Sequence, residues 1–212
     1  MTKRIICFDV DNTLTLGTSW EILSKSIGVD LNFHRKLYND SESGTLSKEY
    51  AENKLLKEYL QTGKATKQFI EEVFNLIEPL PEAYDLMTFL TERDFRVYLV
   101  SGSVNLFVQM ISKKLNTWGW FANSYFEFDE SGLLSKIDMV LGQGKEKVHQ
   151  LHEIAKIENV DIREMFFVGD GSNDIPAFIE TKNGVAVNSK NKELHKVAWK
   201  ICKNLTEVKK LF

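Results

Sequence analysis

The sequence predicts an α/β protein: a doubly wound parallel sheet with a helical unit inserted after the first strand. Three observations carry this. Short apolar runs, RIICF (4–8), FRVYLV (95–100), MFFVGD (165–170) and GVAV (184–187), have the length and β-branched or aromatic content of buried strands. From residue 78 onward, stretches with apolar residues three and four apart alternate with those runs, as βαβ units require. Between residues 19 and 77 no strand pattern occurs.

Taken in order, RIICF reads as a strand buried on both faces. SWEILSKSIG, LSKEYAENKLLKEYLQ and KATKQFIEEVFNLIE follow with helical spacing, broken near Gly28, Gly44 and Gly63. Pro79 and Pro81 end that region, and PEAYDLMTFLTERD reads as a helix with proline in its first turn. FRVYLV is a strand stopped by Ser101-Gly102-Ser103, and VNLFVQMISKKLN is a helix. SYFEFDESGLLSKID reads as a hairpin around Ser131-Gly132. GKEKVHQLHEIAKI is an amphipathic helix, and MFFVGD a strand ending in Gly-Asp-Gly. NDIPAFIETK is a helix with Pro176 in its first turn, GVAV a strand, and NLTEVKKLF a closing helix. The expected division is a core of residues 1–14 and 78–212 around an inserted unit of 15–77.

Composition bounds the function. The 212 residues are 43% hydrophobic and 27% charged, which is a globular balance. Net charge is −3 with lysines and acids interspersed, so a nucleic-acid partner is not expected. No window approaches 18 apolar residues, so no membrane span is expected. The apolar run behind Lys3 and Arg4 is too short for a secretion signal. Cys7 and Cys202 lie far apart in apolar strings and read as buried free thiols in a reducing cytoplasm.

Three of the strands end in polar clusters. RIICF runs into Asp9 and Asp11, FRVYLV into Ser101-Gly102, and MFFV into Gly169-Asp170-Gly171 with Asn173-Asp174 beyond. A parallel sheet brings its carboxyl ends to one edge, where open α/β sheets place their sites. Four carboxylates there repel one another unless a cation joins them. Oxygen donors suit Mg²⁺. Asp9 and Asp11, two apart in extended chain, share a face, with Thr13 closing the turn. One carboxylate beside a cation is a credible nucleophile toward phosphorus. The other serves as acid, then base. Ser101 and the backbone at Gly102 are placed to hold phosphate oxygens. A D-x-D alone is a common turn, and GDG alone is another; their order and strand-end placement carry the argument.

In these residues the sequence resembles the haloacid dehalogenase-like hydrolases, on their phosphoserine phosphatase-like branch. Four motifs carry the resemblance: Asp9-Val10-Asp11-Asn12-Thr13, Ser101, a lysine opening a helix, and Gly169-Asp170-Gly171-Ser172-Asn173-Asp174. The resemblance implies a Rossmann-like core with 15–77 as its helical cap. It implies a Mg²⁺-dependent phosphatase working through a phosphoaspartate on Asp9. Asp9 would be nucleophile and metal ligand. Asp11 would move protons and bind Mg²⁺ through its backbone carbonyl. Ser101, Gly102 and Asn173 would hold the phosphate, and Asp170 and Asp174 would hold the metal or its waters. The motif lysine is Lys147, with Lys145 in reserve.

The implied partner is a small phosphorylated metabolite, taken by a monomer or homodimer. Phosphoserine is one candidate, and the cap is where the match departs. Thr18 stands where the branch carries a glutamate for the substrate amine, three residues before Glu21. Arg35 is the one arginine in 15–77 to meet a carboxylate. A phosphotransferase or phosphomutase would keep all four motifs. A phosphoaspartate switch protein would lack Asp11 and the cap, and a dehalogenase would not need Asp11. Trp20, Trp118 and Trp120 read as packing residues, His149 and His152 as an unlikely metal pair, and NSKNKELHK as a solvated face.

Overall fold

The computed structural model describes residues 4–212; Met1, Thr2 and Lys3, which begin the predicted core, lie outside the described residues. Strand β1 (Arg4–Phe8) has Ile5, Ile6, Cys7 and Phe8 all buried. A strand so apolar on both faces needs neighbours on both edges and helices on both sides. It has them. Ile6 stands opposite Val97 of β2 (Phe95–Val104) and Phe166 of β5 (Phe166–Gly169), both parallel to β1. Strands β3 (Gly119–Phe128), β4 (Leu134–Met139), β6 (Gly184–Val187) and β7 (Lys200–Cys202) complete the sheet. Among the described residues the order is β4-β3-β2-β1-β5-β6-β7, parallel except for the β3–β4 hairpin.

Alternation along β1 sorts the core into two layers. Ile6 and Phe8 face one side with Leu99, Phe107 and Ile111. Ile5 and Cys7 face the other with Tyr98, Val100, Leu151, Ile154 and Phe178. Both cysteines are free and buried.

After β1 come four inserted helices: α1 (Ser19–Ile27), α2 (Leu31–Glu42), α3 (Lys48–Gln61) and α4 (Lys67–Asn75). Their ends are local chemistry. Gly28, at φ 99°, closes α1 in the left-handed region. Asp30, Ser47 and Thr66 cap the next three with side-chain oxygens. The second helix begins at Asp30, a cap with no strong apolar run behind it. The chain leaves and re-enters the sheet at one place: Leu80 N donates to Leu14 O at 2.8 Å, and Thr15 pairs with Pro79. The inserted helices also meet the hairpin. Leu134 N donates to Ala65 O, Met139 N to Glu52, and Lys48 Nζ to Asp138.

Beyond them run α5 (Pro81–Thr91), α6 (Asn105–Leu115), α7 (Gln143–Glu158), α8 (Ile175–Thr181), α9 (Lys192–Val197) and α10 (Leu205–Lys209). The structure differs from the sequence reading at α2, which was not expected, and at four further elements. Strand β2 does not stop at Ser101 but runs to Val104, because its backbone keeps pairing with β3 across a register shift between Ser101 and Val104. Strand β3 begins at Gly119, where a Cβ would lie 2.6 Å from the Tyr98 ring. Helix α9, within the Lys-rich NSKNKELHK, and the short edge strand β7 were not expected; α9 buries only Leu194. No described helix is long and apolar enough to cross a membrane.

Candidate active site

Asp9 still rides on the sheet, its N–H donating to Val168 O at 2.9 Å. The chain then folds into a tight loop in which Val10 O accepts from Thr13, Leu14 and Thr15. That loop needs a left-handed residue, and Asn12 supplies it at φ 58°. Asp9 is buried and Asp11 half-buried beside it.

One cation organises the floor. Lys147, on α7, is fully buried, with Nζ 2.6 Å from Asp174 Oδ1 and 2.9 Å from Asp9 Oδ1. Burial opposes its charge, yet Asp174 and Asp9 outweigh burial and hold its pKa above the ordinary value. Asp9 Oδ1 is ion-paired with Lys147 and has no other polar partner. Lys145, the reserve candidate, is exposed.

Asp174 binds the loop it follows. Its Oδ2 accepts from Asp170 N at 3.0 Å and Gly171 N at 2.9 Å. A Cβ at position 169 would meet that oxygen at 2.4 Å, so the G-D-G turn and the buried acid fit only together. Asp170 lies forward of it and accepts from Thr13 Oγ1 at 3.2 Å.

Three of the carboxylates, Asp9, Asp11 and Asp170, are held above their ordinary values. Burial, then the neighbouring Asp9, raises Asp11 to about 7. Burial, then Asp9 and Asp174, raises Asp170 to about 7. Burial also raises Asp9, with Lys147 opposing. Asp11 is steadied by Ser19 at the start of α1, accepting from its N–H at 3.0 Å and its Oγ at 2.8 Å. Ser19 Oγ is in turn paired with Ser103 Oγ on β2.

A polar cleft opens over this floor, lined by Asp9, Asp11, Ser101, Gly102, Asp170 and Asn173, with Gln143 at its side. Gln143 lies on Gly102, where a Cβ would stand 2.2 Å from its Oε1. Asn173 Nδ2 donates to the same oxygen at 3.4 Å. Thus the predicted residues converge: six line the cleft, and Lys147 and Asp174 lie beneath it. Ser19, Ser103 and Gln143 were not read from the sequence. Ser103, two residues beyond Ser101 on a strand, carried a signal; the other two carried none.

Asp9, Asp170 and Asp174 bring carboxylate oxygens within 4.8 Å of one another. The donor set is all oxygen, one buried oxygen of Asp9 has no polar partner but Lys147, and one lysine faces four acids. Those residues fit a hard divalent cation. Both oxygens of Asp174 are already engaged, Oδ1 by Lys147 and Oδ2 by the N–H groups of Asp170 and Gly171. His152 pairs instead with Glu180 at 3.1 Å.

The cleft continues, past Thr18, Trp20 and Gln143, into a second pocket whose walls include Leu31, His34, Tyr38 and Met139. Trp20 stands edge-on to His34 and Phe126. Glu21 and Arg35 are here too, bound to each other, with Arg35 Nε donating to Glu21 Oε1 at 2.9 Å.

Compared with known proteins, residues 3–180 match the model of the haloacid dehalogenase-like hydrolase family. The phosphoserine phosphatase of Methanocaldococcus jannaschii is 29% identical over 176 residues, covering 83% of this chain and 81% of that protein. That of Archaeoglobus fulgidus is 28% identical over 89% of this chain, which spans 53% of the relative's length. A solved structure, a phospho-aspartyl intermediate analogue of phosphoserine phosphatase, superposes with a TM-score of 0.77 at 25% identity over 100% of both chains.

Proposed function

The chain belongs to the haloacid dehalogenase-like hydrolases, and as a phosphoric monoester hydrolase of that family we propose that it hydrolyses a small phosphomonoester through a phosphoaspartate on Asp9. The single observation that carries the reading is the Asp9–Lys147–Asp174 array under a polar cleft, with Asp11 at its edge. We read 15–77 as the cap over that cleft, supported by the paired entry and exit at Leu14 and Leu80.

In this reading Asp9, Asp170 and the Asp11 backbone carbonyl would hold Mg²⁺, with Asp174 behind, and the ion would supply charge to offset that gathered at the phosphoryl group. Ser101, the Gly102 N–H and Asn173 orient the phosphoryl oxygens. A carboxylate oxygen of Asp9 attacks phosphorus as the bond to the ester oxygen breaks. Asp11, held near neutrality, gives its proton to that departing oxygen. It then takes a proton from water, whose oxygen attacks phosphorus and breaks the bond to Asp9. Phosphate leaves and both acids are restored. Lys147 stays charged throughout and offsets the negative charge on Asp9 and the phosphoryl group.

The test is rapid acid quenching with a ³²P-labelled aryl phosphate, using O-phosphoserine, the compound for which the relatives are named, as reference. Hydroxylamine-labile label on the peptide carrying Asp9 is expected during turnover. Turnover with no labelled protein at any time would overturn the covalent route.

A further inference from the structure

We infer that the organic part of the substrate is an uncharged, single-ring aromatic or similarly apolar group, seated in the pocket that continues the cleft, and that O-phosphoserine is disfavoured. This rests on the reading of the polar cleft as the phosphoryl site. The pocket shares Thr18, Trp20 and Gln143 with that cleft, so a group attached to the ester oxygen enters it directly.

Its walls are mostly carbon. Trp20, Leu31 and Met139 offer apolar surface. His34 is neutral there, since burial lowers its pKa to about 4 and its Nδ1 is 2.7 Å from Ser24 Oγ. The Tyr38 hydroxyl is turned to Glu42 at 2.8 Å. The cavity is about 190 Å³. An apolar cavity of about 150 Å³ is enough to take a benzene ring.

A zwitterion finds no unpaired charged side chain on the walls, whose other polar groups, Asn39, Ser124 and Gln143 among them, are neutral. The two charged side chains on the walls, Glu21 and Arg35, hold each other. Thr18, at the junction between cleft and pocket, offers a hydroxyl and no charge. An ammonium and a carboxylate entering together meet a pair already joined at Glu21 Oε1, beside walls that are mostly carbon. A phenyl ring needs no charged partner, and Trp20 gives it an aromatic one.

The experiment compares kcat/KM of the Mg²⁺-loaded full chain for 2-phenylethyl phosphate, glycerol phosphate and O-phosphoserine. All three expel a primary alkoxide, so the bond broken is alike. The phenylethyl ester is expected to lead by about tenfold or more, the scale on which apolar pockets discriminate. Trp20→Ala should narrow the lead, and Leu31→Asn, at a half-buried position, should narrow it in the same direction. Binding of 2-phenylethanol, followed by saturation-transfer NMR without turnover, should weaken in both variants. O-phosphoserine matching or exceeding the phenylethyl ester, with Arg35→Gln removing that activity alone, would overturn the inference and make the pair a zwitterion clamp. Hydrolysis of 4-nitrophenyl phosphate without preference among the three would sink this inference and leave the phosphatase reading standing. Failure on every ester would remove both.

Discussion

Two buried polar clusters in this molecule look alike and do different work. Under the cleft, Lys147, Asp9 and Asp174 meet with almost no solvent. Among the inserted helices, Ser24 Oγ binds His34 Nδ1 at 2.7 Å and the Tyr59 hydroxyl at 2.8 Å, also buried. The second cluster is neutral and closes on itself, so it fixes how α1, α2 and α3 pack. The first has more acids than cations and leaves an oxygen of Asp9 with no polar partner but Lys147. A buried network with unspent charge asks for a ligand; a satisfied one asks only to be kept.

The largest break of that comparison is Asp9→Asn. It keeps the shape of the side chain and removes the carboxylate proposed as nucleophile. Turnover of any phosphomonoester should fall on the order of 10⁴-fold or more while the fold persists by circular dichroism. Retained turnover would show that the unspent charge has another purpose.

Next is Lys147→Met. It leaves Asp9 and Asp174 buried without their cation. Urea unfolding should report a loss of about 3–5 kcal/mol in metal-free buffer. A loss below about 1 kcal/mol would mean that the acids are held by the loop hydrogen bonds of Asp174 alone.

The two clusters should also respond to pH with opposite sign. His34 falls from an unfolded value of 6.5 to about 4 on folding. The unfolded chain therefore takes a proton that the folded chain refuses. Stability from this group is full above pH 6.5 and lost as pH falls to about 4, by up to about 3 kcal/mol. Asp11 and Asp170 rise from 3.8 to about 7 on folding. Their contribution is present below about pH 4 and lost as pH rises through about 7. In Mg²⁺ the cation takes the place of those protons and the His34 slope should stand alone. In EDTA the two should oppose. His34→Gln should flatten the Mg²⁺ curve, and an unchanged acid limb would refute the assignment.

The smallest effect belongs to Tyr59→Phe. It removes one hydroxyl from a neutral network in which Ser24 keeps His34. About 1 kcal/mol, or 2–4 °C in Tm by calorimetry, is expected, with catalysis unaltered. A change in kcat would tie the helical cluster to the chemistry.

Much of the site was legible because strand ends and motif spacing are short-range facts. Asp9 and Asp11 follow a run that only a central strand explains, and Gly169-Asp170 follows another. The choice between Lys145 and Lys147 was not settled by the sequence, since both open one helix; in the structure Lys147 is buried beside Asp9 and Asp174 and Lys145 is exposed. Some of the fold was not legible. The continuation of β2 through Ser101-Gly102-Ser103 depends on a partner strand, and glycine between serines reads locally as a stop. Helix α9 buries one leucine, which is too little apolar signal to register against its lysines.

Strand ends and motif spacing were enough to say which side chains gather at one edge of the sheet. The order and spacing of the acids along strands and turns require no knowledge of distant neighbours. Only the tertiary structure decided how charge is shared among them. It set Asp174 beneath the loop with Lys147, tied Asp11 to Ser19, and laid Gln143 over Gly102. It also bound Glu21 to Arg35 on the wall of the pocket, two residues that the sequence had offered separately to a substrate. Charge balance is a property of distances a few ångströms long between residues far apart in the chain, and folding alone sets those distances.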